Sequence, residues 1–242
     1  MPRRRVRRFL LGLILSLLLI GAGLAYTAWR LSWQQPAWYA PPDPRDEQVL
    51  KVADDTEYRL LEQTQKVRPV EEPWTLRLTA EQINAWLSAR LPAWIEHDAN
   101  LDWPEQIGTP QVLIDEGGLR VAVPVTTADR ITRTVVGTLQ PSIADDGRLS
   151  LKLRSMALGK IWVPGEPLTK LVNAVKDAAP EFLDAPSVQQ AIDVLAGRST
   201  LPPDYDLADG RRVRVKNVRL LRGAVEIQAV TLPDGEPDRA SP

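Results

Sequence analysis

The sequence predicts an α+β fold: an N-terminal transmembrane helix, then one domain in which a mainly antiparallel, curved sheet packs on helices. Three observations predict it. An uncharged run covers residues 9–29, apolar residues recur at helical spacing between residues 83 and 94, and from residue 111 they recur at every second position. A parallel doubly wound sheet would need regular strand–helix alternation, which the sequence lacks. We expect about five or six strands.

The first thirty residues have the pattern of a membrane anchor. Five arginines precede the apolar run: Arg3, Arg4, Arg5, Arg7 and Arg8. At a rise of ~1.5 Å per residue, a helix over residues 9–29 spans about 30 Å, the thickness of the hydrocarbon core of a bilayer. The basic flank places the N-terminus in the cytoplasm. We predict a single-pass bacterial protein of the plasma (inner) membrane, with a cytoplasmic segment 1–8, a transmembrane signal-anchor helix 9–30 and an extracytoplasmic domain in the cell envelope.

A cleaved signal peptide is the alternative, because signal peptides are also basic and then apolar. Small residues at Gly21, Ala22, Gly23 and Ala25 would suit cleavage. A signal peptide has a shorter apolar core of ~7–15 residues, and the aromatic residues that follow this run are typical of the headgroup level of a membrane. Both features favour a retained anchor. In either case the rest of the chain lies outside the cytoplasm.

The composition excludes several classes of function. The chain has 242 residues with 30 basic and 31 acidic side chains, and five of the basic ones precede Phe9. The remainder therefore carries 25 basic and 31 acidic residues, a net charge of −6. An acidic domain argues against nucleic-acid binding, which needs a broad positive field. The absence of cysteine excludes a disulfide framework, thiolate metal sites and a cysteine nucleophile.

Residues 31–73 are predicted to hold a proline-rich spacer and a stalk helix. The spacer covers residues 34–44, where prolines make the chain stiff. The helix is expected to be capped by Asp43, to start at Pro44 and to run to about Lys66. Its few apolar positions allow a stalk or a helix that lies on the domain. Pro69 and Pro73 end it.

The next helix has the clearest local signal. Thr79-Ala80-Glu81-Gln82 is a capping box, in which the threonine and glutamine side chains each bond to a backbone amide of the other. An apolar face follows at helical spacing, and Pro92 is expected to end or bend the helix. The face consists of Ile83, Trp86, Leu87, Leu91 and Trp94.

The second half of the chain alternates as strands do. Turn signals at residues 116–118, at Asp145-Asp146-Gly147 and at Arg222-Gly223 separate the alternating runs and predict hairpins. Two more helices are expected, over Glu166–Ala178 and over Ser187–Ala196, the latter closed by Gly197. Residues 74–232 then form the extracytoplasmic domain, and residues 233–242 form a disordered tail.

Three segments carry a resemblance to a known family. They are Leu78–Leu87, the run Asp146–Leu153, and Ala157-Leu158-Gly159-Lys160-Ile161-Trp162-Val163-Pro164. Over roughly residues 74–175 the chain resembles the YpmS-type family of single-span, membrane-anchored bacterial proteins of uncharacterised function. The resemblance implies the topology and a related fold, and it implies no catalytic residues. A looser similarity, in element order alone, is to tubular lipid-binding domains, in which a curved sheet wraps a helix around an apolar channel.

Two groups of residues are candidates for binding. The chain has eight tryptophans against two phenylalanines, and several could line an apolar groove for an acyl chain or fill the core. Asn84, a poor helix former inside a helix, makes either a specific polar contact or a local hydrogen bond. The ligand-binding candidates are Trp86, Trp94, Trp103, Trp162 and Asn84.

A basic strand near the C-terminus forms the second group. Arg212, Arg214 and Lys216 alternate with valines and so project from one face. This face could bind lipid phosphates or an acidic partner, or it could protect a sheet edge from aggregation.

No reaction signature is visible. His97 is the only histidine, which excludes two-histidine metal motifs, and no Gly-x-Ser-x-Gly turn presents a nucleophile. We therefore expect no catalytic residues, no metal and no cofactor. The sequence favours a non-catalytic, membrane-anchored binding module for a lipid or another apolar envelope component. The alternative is a scaffold or accessory subunit of an envelope protein complex.

Overall fold

The computed structural model describes residues 19–98, 102–127, 129–144, 147–163, 169, 172–173, 186–207 and 209–233. Five helices are named here in chain order: α1 (19–32), α2 (Glu47–Gln65), α3 (Ala80–Ala89), α4 (Leu91–Asp98) and α5 (Pro186–Leu195). Nine strands are β1 (Pro73–Thr79), β2 (Gln111–Asp115), β3 (Gly118–Thr126), β4 (Thr132–Ile143), β5 (Leu149–Leu158), β6 (Ile161–Val163), β7 (Asp204–Asp206), β8 (Arg212–Leu221) and β9 (Ala224–Thr231).

The α+β class and the antiparallel pairing are confirmed, but the prediction of one sheet with five or six strands is wrong. The described strands form two sheets: a four-stranded sheet in the order β1-β9-β8-β7 and a five-stranded sheet in the order β2-β3-β4-β5-β6. The main omission was β1, whose seven residues all pair with β9 at the far end of the chain. Trp74, Leu76 and Leu78 alternate with polar residues in β1, but the alternation is short and runs directly into the capping box of the next helix. The sequence therefore did not indicate a separate strand there.

The helix boundaries agree with the sequence where a local cap defines them. Both hydrogen bonds of the predicted capping box are present at the start of α3, from the Gln82 amide to Thr79 Oγ1 (3.2 Å) and from the Thr79 amide to Gln82 Oε1 (2.9 Å). The predicted start of α2 was wrong by three residues. Asp46, rather than Asp43, caps it, because the Asp46 carboxylate accepts the Gln48 amide.

Two further helix predictions were close. The chain bends at Arg90, between α3 and α4, and Pro92 lies in the first turn of α4. Helix α5 starts at Pro186, one residue before the predicted Ser187 cap, and ends before Gly197, which has a φ of +70°. The predicted helix Glu166–Ala178, the residues Asp145 and Asp146, and nearly all of the predicted tail lie outside the described residues.

Helix α2 lies on the domain. Its buried positions Ala53 and Thr56 are small, as are the buried positions Ala85 and Ser88 of α3, and the two helices contact each other. Small side chains let two helices approach closely. At the end of α2, the Arg211 guanidinium donates to the backbone carbonyls of residues 64, 65 and 66 at 2.9 Å. A projecting stalk is therefore wrong for α2, and a helix lying on the domain is the alternative that holds.

The described part of the predicted anchor is helical and has exposed apolar side chains. Leu19, Leu24 and Trp29 of α1 are 66%, 68% and 54% exposed. Among the described residues no helix is both long and apolar enough to cross a membrane. Residues 9–18 of the predicted anchor lie outside them, so the transmembrane helix stays a prediction.

The proline-rich segment is a strap across the five-stranded sheet. We define the strap as residues 33–42. The Tyr39 hydroxyl donates to the Thr109 carbonyl (2.7 Å), and burial raises the pKa of Tyr39 to about 12. The Ala40 amide donates to Gln111 Oε1 (2.6 Å), and the Ser88 hydroxyl donates to the Pro42 carbonyl (2.6 Å).

The register of the sheet shows which face the strap covers. Gln111, Ala122, Val136, Ala157 and Trp162 are paired in one row across all five strands. Directly paired residues share a face. The strap bonds Gln111 at one end of this row, and Ala122, the next residue in the row, is fully buried. The predicted proline-rich spacer is therefore bonded to the domain, because its tyrosine and a backbone amide have partners on or beside the sheet.

The turn between β5 and β6 holds the end of α1. The Lys160 amide donates to the Leu31 carbonyl (3.2 Å), and the Gly159 amide donates to the Thr134 carbonyl (2.7 Å). Gly159 has a φ of +59°, and three carbonyl oxygens of residues 31, 32 and 34 surround the position a β-carbon would take. The last carbonyls of a helix lack partners within the helix. The Lys160 amide of this turn, which is distant in the sequence, is a hydrogen-bond partner for the Leu31 carbonyl.

Candidate functional site: an apolar cavity on the five-stranded sheet

A partly open cavity of about 300 Å³ lies between the five-stranded sheet and α5. Every described side chain that lines it is apolar. The lining residues are Trp103, Ile107, Pro110, Val121, Val123, Val125, Val135, Gly137, Leu139, Leu153, Met156, Val172, Val188, Ala191, Ile192 and Leu195. A volume of this size lies at the lower end of the ~300–1,000 Å³ typical of ligand sites. Apolar cavities stay free of water and accept apolar guests.

Strand pairing builds the floor of the cavity. Val121 pairs with Gly137, which pairs with Met156, and Val123 pairs with Val135 in the next row. Their side chains share the face opposite the strap, because successive residues of a strand point to opposite faces. Gly137 lacks a side chain in the middle of this floor, where an added β-carbon would meet Leu153 Cδ1 at 3.0 Å. Leu153 therefore packs over the glycine, and a larger residue at position 137 would push it into the cavity.

The roof consists of α5 and a loop. Helix α5 contacts β5 and contributes Val188, Ala191, Ile192 and Leu195, which recur at helical spacing on one face. The loop 102–110 contributes Trp103, whose Nε1 donates to the Ile107 carbonyl (2.7 Å). Ile107 in turn forms an isolated bridge with Val125 at the end of β3. The indole is thus fixed by its polar edge while its apolar body lines the cavity.

Of the predicted tryptophan candidates, the structure brings Trp103 to the cavity. Trp86 is half-buried and donates from Nε1 to Glu57 Oε1 (2.8 Å). Trp94 is 50% exposed, with its ring centroid 6.2 Å from that of Trp86. Trp162 is 63% exposed and lies in the row of the strap face. These three tryptophans lie away from the cavity and do not form one groove with Trp103.

Asn84 makes a specific polar contact. Its Nδ2 donates to the Val112 carbonyl (3.0 Å), and its Oδ1 accepts the Val112 amide (2.7 Å). The side chain therefore bonds to β2 as a neighbouring strand would, which satisfies backbone groups at the edge of the sheet. Asn84 positions β2 on α3 and lies outside the cavity lining.

The basic strand face is paired with carboxylates. Arg214 makes two hydrogen bonds to Asp204, from Nε (2.6 Å) and Nη2 (2.8 Å), and Arg212 Nη2 lies 3.4 Å from the same carboxylate. The bonds from Arg214 hold the pKa of Asp204 below its usual range. Lys216 is exposed and adds to this field. Arg212 and Arg214 do share a face, as predicted, and this face joins β8 to β7.

Replacing Asp204 with asparagine should lower the free energy of unfolding by roughly 1–3 kcal/mol at pH 7, because its charged hydrogen bonds are lost. The pKa of Asp204 is depressed in the folded state, so its contribution is present above the unfolded-state pKa and disappears as the pH falls through the folded pKa. Urea unfolding of wild type and D204N should therefore begin to converge below about pH 4, near the unfolded-state pKa, and should coincide only below the folded-state pKa. D206N is the control, since the Asp206 side chain is 82% exposed and should matter much less at any pH.

The sequence matches no protein-family model, and no curated protein is similar to it. The resemblance to the YpmS-type family therefore stays a prediction. What the site can do has to be argued from its geometry.

Most of the cavity residues were not among the predicted candidates. The signal was present as an excess of apolar residues: β3, β4 and β5 each place valines and leucines on one face, and α5 adds a second apolar surface. The tryptophans were predicted to bind a ligand because the chain has eight of them against two phenylalanines. Valine and leucine on a sheet face are typical of any core, so the pattern could not separate a filled core from a cavity.

Proposed function

We propose that this protein is a membrane-anchored, extracytoplasmic and non-catalytic binding module that holds an apolar chain, such as an acyl chain of a lipid, in the cavity between the five-stranded sheet and α5. The single observation that carries the proposal is the lining of the cavity, where all sixteen described residues are apolar. Such a lining offers no partner to a polar or charged ligand, so a polar molecule would lose its hydrogen bonds to water there.

The expected strength of binding follows from the transfer of methylene groups out of water. Each buried methylene contributes ~0.8 kcal/mol, so a chain of about eight methylenes gains roughly 6 kcal/mol before the entropy of ordering the chain is subtracted. This favours binding in the millimolar to micromolar range when the ligand is free in solution.

The exposed surface of α1 supports the proposal of a membrane anchor. Its side chains Leu19, Ile20 and Leu24 are more than half exposed, and contiguous exposed apolar surface marks a site of contact with a membrane or a protein. Tyr26, Trp29 and Trp33 follow along the same helix and its end, with ring centroids 6.1 Å and 5.6 Å apart. Aromatic rings of this kind are enriched where a helix leaves a bilayer.

The test is to purify the full-length protein in mild detergent and to identify bound lipid by mass spectrometry of the organic extract. A191F adds an aromatic ring from α5 to the cavity and should abolish lipid recovery. Q190F adds the same ring at the neighbouring position of α5, which is exposed and outside the cavity lining. As much lipid should be recovered with this variant as with wild type. Equal lipid in both variants, or none in wild type, would contradict the proposal.

A scaffold role is the second candidate, and one observation favours it. Tyr58 and Leu61 are 71% and 56% exposed and lie three residues apart on α2. Residues at this spacing share a helix face. Crosslinking in the cell envelope would test it: Y58E should remove a specific partner if this face is an interface. K216E tests the basic face in the same way, because Lys216 is exposed, whereas Arg212 and Arg214 are paired with Asp204.

A further inference from the structure

One end of the five-stranded sheet carries both α1 and the start of the cavity. The β3–β4 turn (127–131) and the β5–β6 turn (159–160) lie at this end, because neighbouring antiparallel strands reverse direction there. The β5–β6 turn bonds the last residues of α1 through Lys160 and Leu31. On the β4 side, the Arg133 guanidinium lies over the Trp33 ring, 5.1 Å from its centroid. The orientation of α1 is thus tied to this end of the sheet.

The cavity begins at the same end. Val135 and Met156 line it. Val135 follows Thr134, whose carbonyl accepts the Gly159 amide of the turn that holds α1, and Met156 lies two residues before Leu158, where β5 ends at that turn. Leu139 on β4 lines the other end. Four residues of strand separate Val135 from Leu139, about 13 Å at ~3.3 Å per residue. The cavity therefore extends away from α1 along the strands.

The surface of this end suits a lipid headgroup region. Trp162 is 63% exposed on β6, two residues after Lys160, which is exposed as well. Arg130, in the β3–β4 turn, is also exposed. Tryptophan and basic side chains together are typical of membrane interfaces, where the ring lies among headgroups and the cation lies beside phosphates. A largely exposed tryptophan on a short edge strand contributes little to the stability of the domain itself.

We propose that the domain lies against the outer surface of the bilayer with this end of the sheet, and that Trp162 inserts at headgroup level. The cavity then starts at the membrane surface, and the chain that fills it comes from a lipid of the same bilayer. The inference rests on the proposed function for its anchor. It adds an orientation, a membrane-contacting residue and a source of the ligand.

Fluorescence quenching can test the orientation in the full-length protein. The protein is reconstituted into vesicles of phosphatidylcholine brominated either near the headgroup or near the chain end, and the loss of tryptophan fluorescence is measured for wild type, W162F and W94F. Trp94 is the comparison, since it is 50% exposed and lies on α4, which packs on α3, the helix beside the β2 edge. Four strand spacings across the sheet, about 19 Å, separate that edge from β6, so quenching of Trp94 would indicate contact through the opposite edge of the sheet and not through β6.

We expect W162F to lose a distinct share of the intensity that headgroup-level bromine quenches, and W94F to lose none. Equal quenching in wild type and W162F, or an equal loss in W94F, would overturn the inference. Because Trp162 is largely exposed, W162F should unfold at the wild-type temperature, which circular dichroism checks. The lipid-extraction experiment is independent of this result. Lipid recovered with Trp162 unquenched overturns the orientation and leaves the proposed function standing. Trp162 quenched with no lipid recovered overturns the proposed function and the source of the ligand, and leaves the orientation standing.

Discussion

Replacing Gly159 with alanine should separate the end of α1 from the domain. The new β-carbon would lie 2.6 to 2.8 Å from the carbonyl oxygens of Ser32, Gln34 and Leu31, and the φ of +59° is unfavourable for any residue with a side chain. These oxygens belong to backbone and cannot rotate away. The turn must move, and the hydrogen bond from the Lys160 amide to Leu31 is lost with it.

The matched control is Gly210. Its φ of +84° imposes the same kind of backbone strain, but nothing lies within 4 Å of the position of its β-carbon. G210A should therefore cost about 1–2 kcal/mol of stability for the left-handed conformation alone. G159A should cost a further ~1–3 kcal/mol from the overlap with the carbonyls. Urea unfolding measures both losses.

Hydrogen exchange gives the local result. In G159A, and not in G210A, the Lys160 amide should exchange faster, because its partner on α1 has moved. Equal losses of stability in the two variants, together with an unchanged Lys160 amide, would show that α1 does not rest on this turn.

The second large effect is expected at Asn84. In N84A, the amide and carbonyl of Val112 both lose their partner, and Val112 is only 6% exposed. Each buried backbone group left without a hydrogen bond costs ~1–3 kcal/mol, so the total loss should be about 2–4 kcal/mol. Helix propensity acts in the opposite direction, because alanine is the better helix former, and reduces the loss by less than ~1 kcal/mol.

Two further variants make the result at Asn84 specific. N84D keeps the acceptor for the Val112 amide but replaces the donor with a carboxylate facing the Val112 carbonyl, so it should not restore stability. N217A removes an exposed asparagine of β8 and should change the free energy of unfolding little. A loss in N84A no greater than that in N217A would mean that the two hydrogen bonds do not stabilise β2.

Local signals made part of this fold predictable. The capping box of α3 needs only four consecutive residues, and the turns at Gly147, Gly197 and Gly223 need only a glycine with positive φ, so each was visible in a short window. The pairing of β1 with β9 joins the two ends of the domain, and a window of a few residues contains nothing about it.

The site shows the same limit more strongly. Asn84 could be singled out as a poor helix former, but its partner Val112 lies 28 residues away. Trp103 could be grouped with the other tryptophans, but which of them reaches a cavity depends on where loop 102–110 meets β3. A cavity results from the packing of several elements, so no single residue in the sequence indicates that one is present.

The strap limits the rotational freedom of the whole protein. Because residues 33–42 bond to Thr109 and Gln111 at the β2 edge and to Ser88 on α3, no free linker separates α1 from the domain. A domain on a flexible tether samples all orientations, and a molecule in the membrane meets a different side at each collision. In the proposed membrane-anchored protein, diffusion in the plane of the bilayer would instead bring lipids and neighbouring proteins to one fixed side of the domain.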